Sequence, residues 1–170
     1  MRRWLLIAAV SLVALLVLVV VAGLALPKGH RASRTRTFAA PPPAVFAVVS
    51  DFLKYPEWRS DVRAMVVDGP GGVGTVVHED GPSGSIPYRV EVFEPPSRLV
   101  TRIADPELPF GGTWTYELRP SGTGTELTIT EDGEVSNPIF RVMQKLFFSP
   151  YGTIDTYLEN LDKRLKRSSS

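Results

Sequence analysis

Apolar and polar positions fall into three regimes along this chain. From Trp4 to Leu26 the residues are apolar, with Ser11 the clear polar exception. About 23 such residues in a helix extend roughly 35 Å, enough to cross a hydrocarbon core of about 30 Å. Between Arg34 and Val135 the pattern changes to period-2 alternation punctuated by glycine and proline. From Asn137 onward apolar residues recur every three or four positions. The pattern therefore predicts one transmembrane helix, a run of antiparallel strands, and a helical cover.

The alternating region divides into predicted strands at Arg34–Phe38, Val62–Asp68, Gly74–Asp80, Ser85–Glu94, Arg98–Ala104, Gly111–Arg119 and Thr123–Val135. Clusters such as Gly69-Pro70-Gly71-Gly72 and Pro95-Pro96-Ser97 separate them, which reads as successive hairpins. Ile86, Tyr88, Val90 and Val92 share one face; Trp114, Tyr116 and Leu118 share another, as do Leu127 and Ile129. Their polar neighbours point the opposite way, so the sheet is expected to be covered on a single side. At the cover, Asn137 is placed to cap a helix and Pro138 to occupy its first turn. Ile139, Met143, Leu146 and Phe147 form an apolar stripe that Ile154, Leu158, Leu161 and Leu165 continue. Pro150 and Gly152 predict a break at Ser149–Gly152.

Ahead of the sheet, residues Ala40 to Trp58 carry the most distinctive pattern. Prolines open a helix whose Val45, Phe46, Val49 and Phe52 lie on one face. Pro56 is expected to stop that helix and to bias Tyr55 toward an extended backbone. Tyr55 and Trp58 then place large rings beside the turn. This segment resembles the opening of the START/Bet v 1-like (SRPBCC) superfamily, most closely its bacterial polyketide cyclase/dehydrase-like branch. The downstream element order extends the resemblance over about Arg34 to Arg167.

The resemblance implies an α+β helix-grip fold. A curved seven-stranded antiparallel sheet would wrap a long C-terminal helix, preceded here by one transmembrane helix. It also implies a sheet–helix cavity for an apolar small molecule or lipid, with Trp58, Tyr88, Trp114, Tyr116, Met143, Phe147, Ile154 and Leu158 as the expected lining. For the aromatic residues, plain core packing is an equal alternative. The chain then divides into a cationic Met1–Arg3, an anchor over residues 4–26, a tether over 27–33 and the domain over 34–167.

The formal charge of +1 conceals a segregation. Between Phe38 and Asp162 nine cations stand against all eighteen acids, while the remaining cations lie at the two ends. An acidic body lacks the basic face that nucleic acid requires. The basic ends suit anionic lipid headgroups or free solvation. A cleaved signal is the alternative to an anchor, with Gly23 and Ala25 as small residues before a cut. Its apolar stretch would exceed the usual span of about 7–15 residues. Cationic residues flank both ends of the span, and the expectation is a single-pass protein of the cell membrane with its domain on the exported side.

Candidate chemistry is sparse. Gly69 to Gly74 matches a dinucleotide-binding glycine pattern, but a strand follows where a helix would be needed. With no cysteine and with His30 and His78 far apart, no zinc spacing exists and no cofactor is expected. Alternation points Glu131 at the dry face, where its carboxyl would be desolvated, unless a bulge at Asp132-Gly133 releases it. His78 alternates with Val76 and is placed inward too, as the imidazole available for proton transfer. The strands between them argue against a Glu131–His78 dyad. The cluster Phe147-Phe148-Ser149-Pro150-Tyr151 suits a pocket mouth, contact with a bilayer interface, or burial under the opening helix. Three functions follow: a membrane-anchored binding domain, a polyketide cyclase/dehydrase-like enzyme using a pocket acid or base, and a non-binding interaction module. Oligomeric state is not encoded in the pattern.

Overall fold

The computed structural model describes residues 1–82, 84–147 and 149–168. Helix α1 (Arg2–Ala25) is long and apolar enough to cross a membrane, and nearly all of its side chains are exposed. Seven strands follow, β1 (Gly29–Phe38), β2 (Ala64–Asp68), β3 (Val76–Gly81), β4 (Gly84–Glu94), β5 (Arg98–Ile103), β6 (Phe110–Ser121) and β7 (Gly124–Val135). They form one antiparallel sheet in the order β1-β7-β6-β5-β4-β3-β2. Each of β2 to β7 thus pairs with its neighbour in sequence, as the glycine and proline punctuation predicts, and β1 closes the far edge against β7. Strand β1 starts at Gly29 rather than Arg34. Residues 29–33 are therefore paired strand, with Ala32 buried opposite Glu131.

Two phases along the sheet differ from simple alternation. The register between β4 and β5 shifts between Val90 and Val92, a bulge that adds one residue to the strand. Beyond it Phe93, not Val92, packs on the core, where its ring meets Phe46 edge-on at 5.5 Å. In β3 the inward residues are Val77 and Glu79, not Val76 and His78. Val77 sits directly opposite Tyr88, and residues directly opposite share a face. The adjacent valines at 76 and 77 satisfy either phase locally, so pairing with β4 decides.

Helix α2 (Pro42–Ser50) buries Val45, Phe46 and Val49, with proline in its first turn. Pro56 does not stop the helical path. A 3-10 turn over Phe52–Lys54 passes into the short α3 (Tyr55–Trp58), and Tyr55 is α-helical at φ −54°, ψ −42°. Proline in a first turn forfeits no intrahelical bond, which permits this. Tyr55 and Trp58 then stack edge-on at 5.2 Å and reach Tyr157 of the last helix.

The cover is two helices, α4 (Pro138–Phe147) and α5 (Gly152–Ser168), broken where Pro150 and Gly152 predict. Asn137 Oδ1 accepts from the Ile139 and Phe140 amides and caps α4. Ile154, Leu158, Leu161 and Leu165 are buried in the core cluster under the concave face. The α4 stripe does not continue that face: Ile139, Met143, Leu146 and Phe147 are exposed, and α4 packs beside α1. The break frees α4 to leave the sheet.

Burial separates the two helices experimentally. Leu161→Ala should cost about 2–5 kcal/mol, as for other core leucines. Leu146→Ala should change stability by no more than about 0.5 kcal/mol in detergent. Urea denaturation of the detergent-solubilised chain measures both, and equal losses would contradict this division.

Candidate functional site

Most of the space between the sheet and α5 is filled by side chains. Tyr157, Leu158 and Leu161 of α5 pack against Leu127 and Ile129 of β7, with Trp58 beside Tyr157. A gap remains toward the α5 N-terminus. An inner chamber of about 40 Å³ is bounded by Tyr55, Arg59, Glu79, Tyr88, Trp114 and Tyr116, among others. An outer chamber of about 260 Å³ shares Glu79, Tyr88, Trp114 and Thr153 with it and adds Asp61 and Glu131. A volume of 40 Å³ holds a few water molecules, whereas small-molecule sites run to roughly 300–1,000 Å³. Together the chambers match only the lower end of that range.

Arg59 is the charged centre of this region. It follows α3 in a segment without periodic pattern, and its side chain is 7% exposed. Its Nη1 donates to Glu79 Oε2 at 2.6 Å and its Nη2 to Oε1 at 3.1 Å, a bidentate grip on β3. Nε donates to Asp61 Oδ1 at 3.3 Å, and Nη2 also bonds Asp61 Oδ2. The guanidinium also lies 5.1 Å from the centre of the Tyr55 ring and 5.3 Å from that of Tyr157. Burial pushes the Glu79 carboxyl above its ordinary range, and the pull of Arg59, which is shared with Asp61, only partly offsets this.

Phenols complete the walls. Tyr157 donates to Tyr55 Oη at 3.2 Å, and Tyr55 donates to the Val49 carbonyl at 2.6 Å. Burial pushes both phenols up. Tyr88 and Tyr116 are also pushed up by burial, yet neither hydroxyl has a protein partner among the described residues. The sealed, unpartnered side-chain atoms among the described residues are Trp58 Nε1 and Thr75 Oγ1, neither of which lines a chamber. The Tyr88 and Tyr116 hydroxyls are therefore open to the cavity, as donors and acceptors without an assigned bond.

The structure sorts the residues expected from sequence. Tyr88, Trp114 and Tyr116 line the cavity. Trp58, Ile154 and Leu158 are packed core that borders neither chamber. Met143 and Phe147 lie on the exposed face of α4, away from both, and Phe148 lies outside the described residues. Glu131 faces inward opposite Trp114, as alternation indicates, and burial raises its carboxyl. Its imidazole neighbour is His30 Nε2 at 3.5 Å. His78 is not inward: it lies opposite Val66 and Pro87 on the other face, with three strands between β3 and β7. Arg59, Asp61 and Glu79 are the site residues that sequence reasoning missed. The available signal was the phase of β3, since moving Val77 inward brings Glu79 with it.

These charges make a signed prediction. The folded chain holds the Glu79 proton more tightly than the unfolded one. Its contribution to stability is thus complete below the unfolded value of about 4.5 and is lost as pH rises through the higher folded value. Glu79→Gln should remove that part of the decline. Arg59→Met should cost about 3–5 kcal/mol at neutral pH by stranding two carboxylates, and less in acid. Denaturation across a pH series tests both, and an Arg59→Met penalty unchanged in acid would contradict the assignment.

The comparisons agree with this architecture. A START superfamily protein from Mycobacterium smegmatis is 20% identical, with 81% of this chain and 98% of that one covered at a TM-score of 0.62. Norcoclaurine synthase from Thalictrum flavum, in complex with dopamine and hydroxybenzaldehyde, is 13% identical over 88% and 93% at 0.67. The di-domain ARO/CYC StfQ from the steffimycin biosynthetic pathway is 14% identical, covering 84% of this chain and 53% of that one, also at 0.67. At these identities the likeness concerns the fold. No curated protein matches. A family model described as polyketide cyclase / dehydrase and lipid transport matches residues 29–166, from the first residue of β1 into the last turns of α5, and the chain belongs to that family.

Proposed function

We propose that this chain is a bilayer-tethered binding module for a compact, largely aromatic molecule that carries a hydrogen-bonding tip. The observation that carries the reading is the pair of cavity-facing phenols, Tyr88 and Tyr116, that have no partner within the protein. Neither hydroxyl is sealed, so both are available to a ligand, and two open phenols beside Trp114 suit a ring with a carbonyl or hydroxyl. The volume argues for one or two rings rather than a two-chain lipid. Asp61, Glu79 and Glu131 line the outer chamber and disfavour a carboxylate ligand. Dopamine and hydroxybenzaldehyde in norcoclaurine synthase are single-ring molecules of fitting size on the same fold. Helix α1 serves as the anchor, which keeps the pocket beside molecules dissolved in the membrane.

A second reading, acid–base catalysis of the cyclase/dehydrase kind, draws support from Glu79 and Glu131. Both carboxyls are raised by burial and share the outer chamber with Tyr88. Glu131→Gln separates the two: it should spare ligand binding and abolish any proton exchange at a bound carbonyl.

Native mass spectrometry of the detergent-solubilised full chain should reveal a co-purifying aromatic small molecule, and a tryptophan-fluorescence change that is absent from Trp114→Phe should report its rebinding. Tyr116→Phe and Tyr88→Phe should each weaken binding by about tenfold at most, the worth of one hydrogen bond, without loss of fold. Co-purified acyl lipid, or phenylalanine variants that bind unchanged, would defeat the proposal.

A further inference from the structure

The helix that leaves the sheet carries an unexplained face. In α4, Ile139, Phe140, Met143, Leu146 and Phe147 occupy an arc of roughly 120° at 3.6 residues per turn. All five are exposed, Leu146 and Phe147 at 68% each. No acidic residue occurs in the helix. Such an arc in water exposes apolar surface that a soluble domain ordinarily covers.

The opposite side of α4 is fixed to α1. Gly23 is the buried residue of α1, and a Cβ there would collide with the Pro138 carbonyl, so the missing side chain admits the α4 backbone. Val19, Val20 and Leu26 are half-buried on the same stripe. Arg141, 5% exposed, donates from Nη1 to the Gly23 carbonyl at 3.1 Å and to that of Leu26 at 3.4 Å. Its Nε and Nη2 reach the carbonyls of Val135 and Ser136, each at 2.8 Å. One guanidinium thus satisfies the end of α1 and joins it to β7 and α4.

Depth follows from this contact. Gly23 and Val19 precede Leu26 by about 4.5 and 10.5 Å along the helix axis. Interfacial helices bury their apolar face about 5–10 Å below the headgroup boundary. Just beyond Leu26, Lys28 and His30 join Arg141, Gln144 and Lys145 around a notch of about 270 Å³ whose lining includes no acid.

We infer that α4 is a second membrane-contacting element, its apolar arc seated at the acyl boundary of an anionic bilayer and its notch at the headgroups. This rests on α1 being a bilayer anchor. The domain is then held against the surface in one orientation. The loop after α4 leads within a few residues to Thr153, which lines both chambers.

The chain has no cysteine, so single labels are unambiguous. Nitroxides on Leu12→Cys, Met143→Cys, Phe147→Cys and Thr123→Cys, each in the full chain, can be probed in phosphatidylcholine–phosphatidylglycerol vesicles with a water-soluble nickel complex. Thr123 lies at the other end of β7 from α4, roughly 40 Å away along a strand of that length. The expected result is loss of nickel relaxation at 12, 143 and 147 and its retention at 123. Labels at 143 and 147 as accessible as 123, with 12 still shielded, would overturn the role of α4 and leave the anchor intact. An accessible label at 12 would overturn the anchor and this inference with it. Lys28→Glu with Lys145→Glu should restore nickel access at 147 in these vesicles; unchanged shielding would remove the headgroup contact.

Discussion

One guanidinium holds the functional end of this fold together. Arg59 joins a loop that lacks regular structure to β3, and it does so in a space from which water is nearly excluded. A buried cation without partners would be prohibitive, and two carboxylates drawn partly out of water would also be costly. Together they are tolerable, and they set the spacing between α3 and the sheet. The rings of Tyr55 and Tyr157 face the same cation, so α5 is registered against this group as well. Exchanging the cluster for apolar residues would be an ordinary way to gain stability. Its presence at the inner wall of the gap between the sheet and α5 ties the charge to the cavity rather than to the core.

The cavity shows how a shared fold narrows what a particular chain accommodates. The sheet and α5 enclose a volume, but Trp58, Tyr116, Tyr157 and Leu158 take most of it. What remains is small, aromatic on its walls and acidic at its mouth. Family membership leaves transport, binding and catalysis open. Size and electrostatics at the open end restrict the chemistry further than the fold does.

The sequence made the strand order legible because each turn carries its own glycine or proline signal. The break between α4 and α5 and the capping role of Asn137 were legible for the same local reason. Phase was harder. Val76 and Val77 support either face, and the bulge near Val92 reverses the alternation where no glycine announces it. Arg59 and Asp61 sit in a stretch without period, so no pattern marks them as inward. The amphipathic stripe in α4 reads as a face for the sheet, but it is turned outward, and the opposite side of the helix is joined to a segment more than a hundred residues away. Trp114 and Tyr116 follow their alternation because long, regular strands carry them, and Glu131 keeps the same phase rather than being released by a bulge at Asp132-Gly133.

The clamp between Arg141 and the end of α1 also acts as a clock. A leader-removing protease reads small residues such as Gly23 and Ala25 from an accessible backbone. Arg141 is separated from Gly23 by 118 residues. At about 5–20 residues per second, the ribosome reaches it roughly 6–24 s later. Until then the backbone there has no clamp. Afterwards Gly23 is buried against Pro138 and its carbonyl is held. The folded chain thus withholds from any such protease the backbone that the nascent segment leaves open.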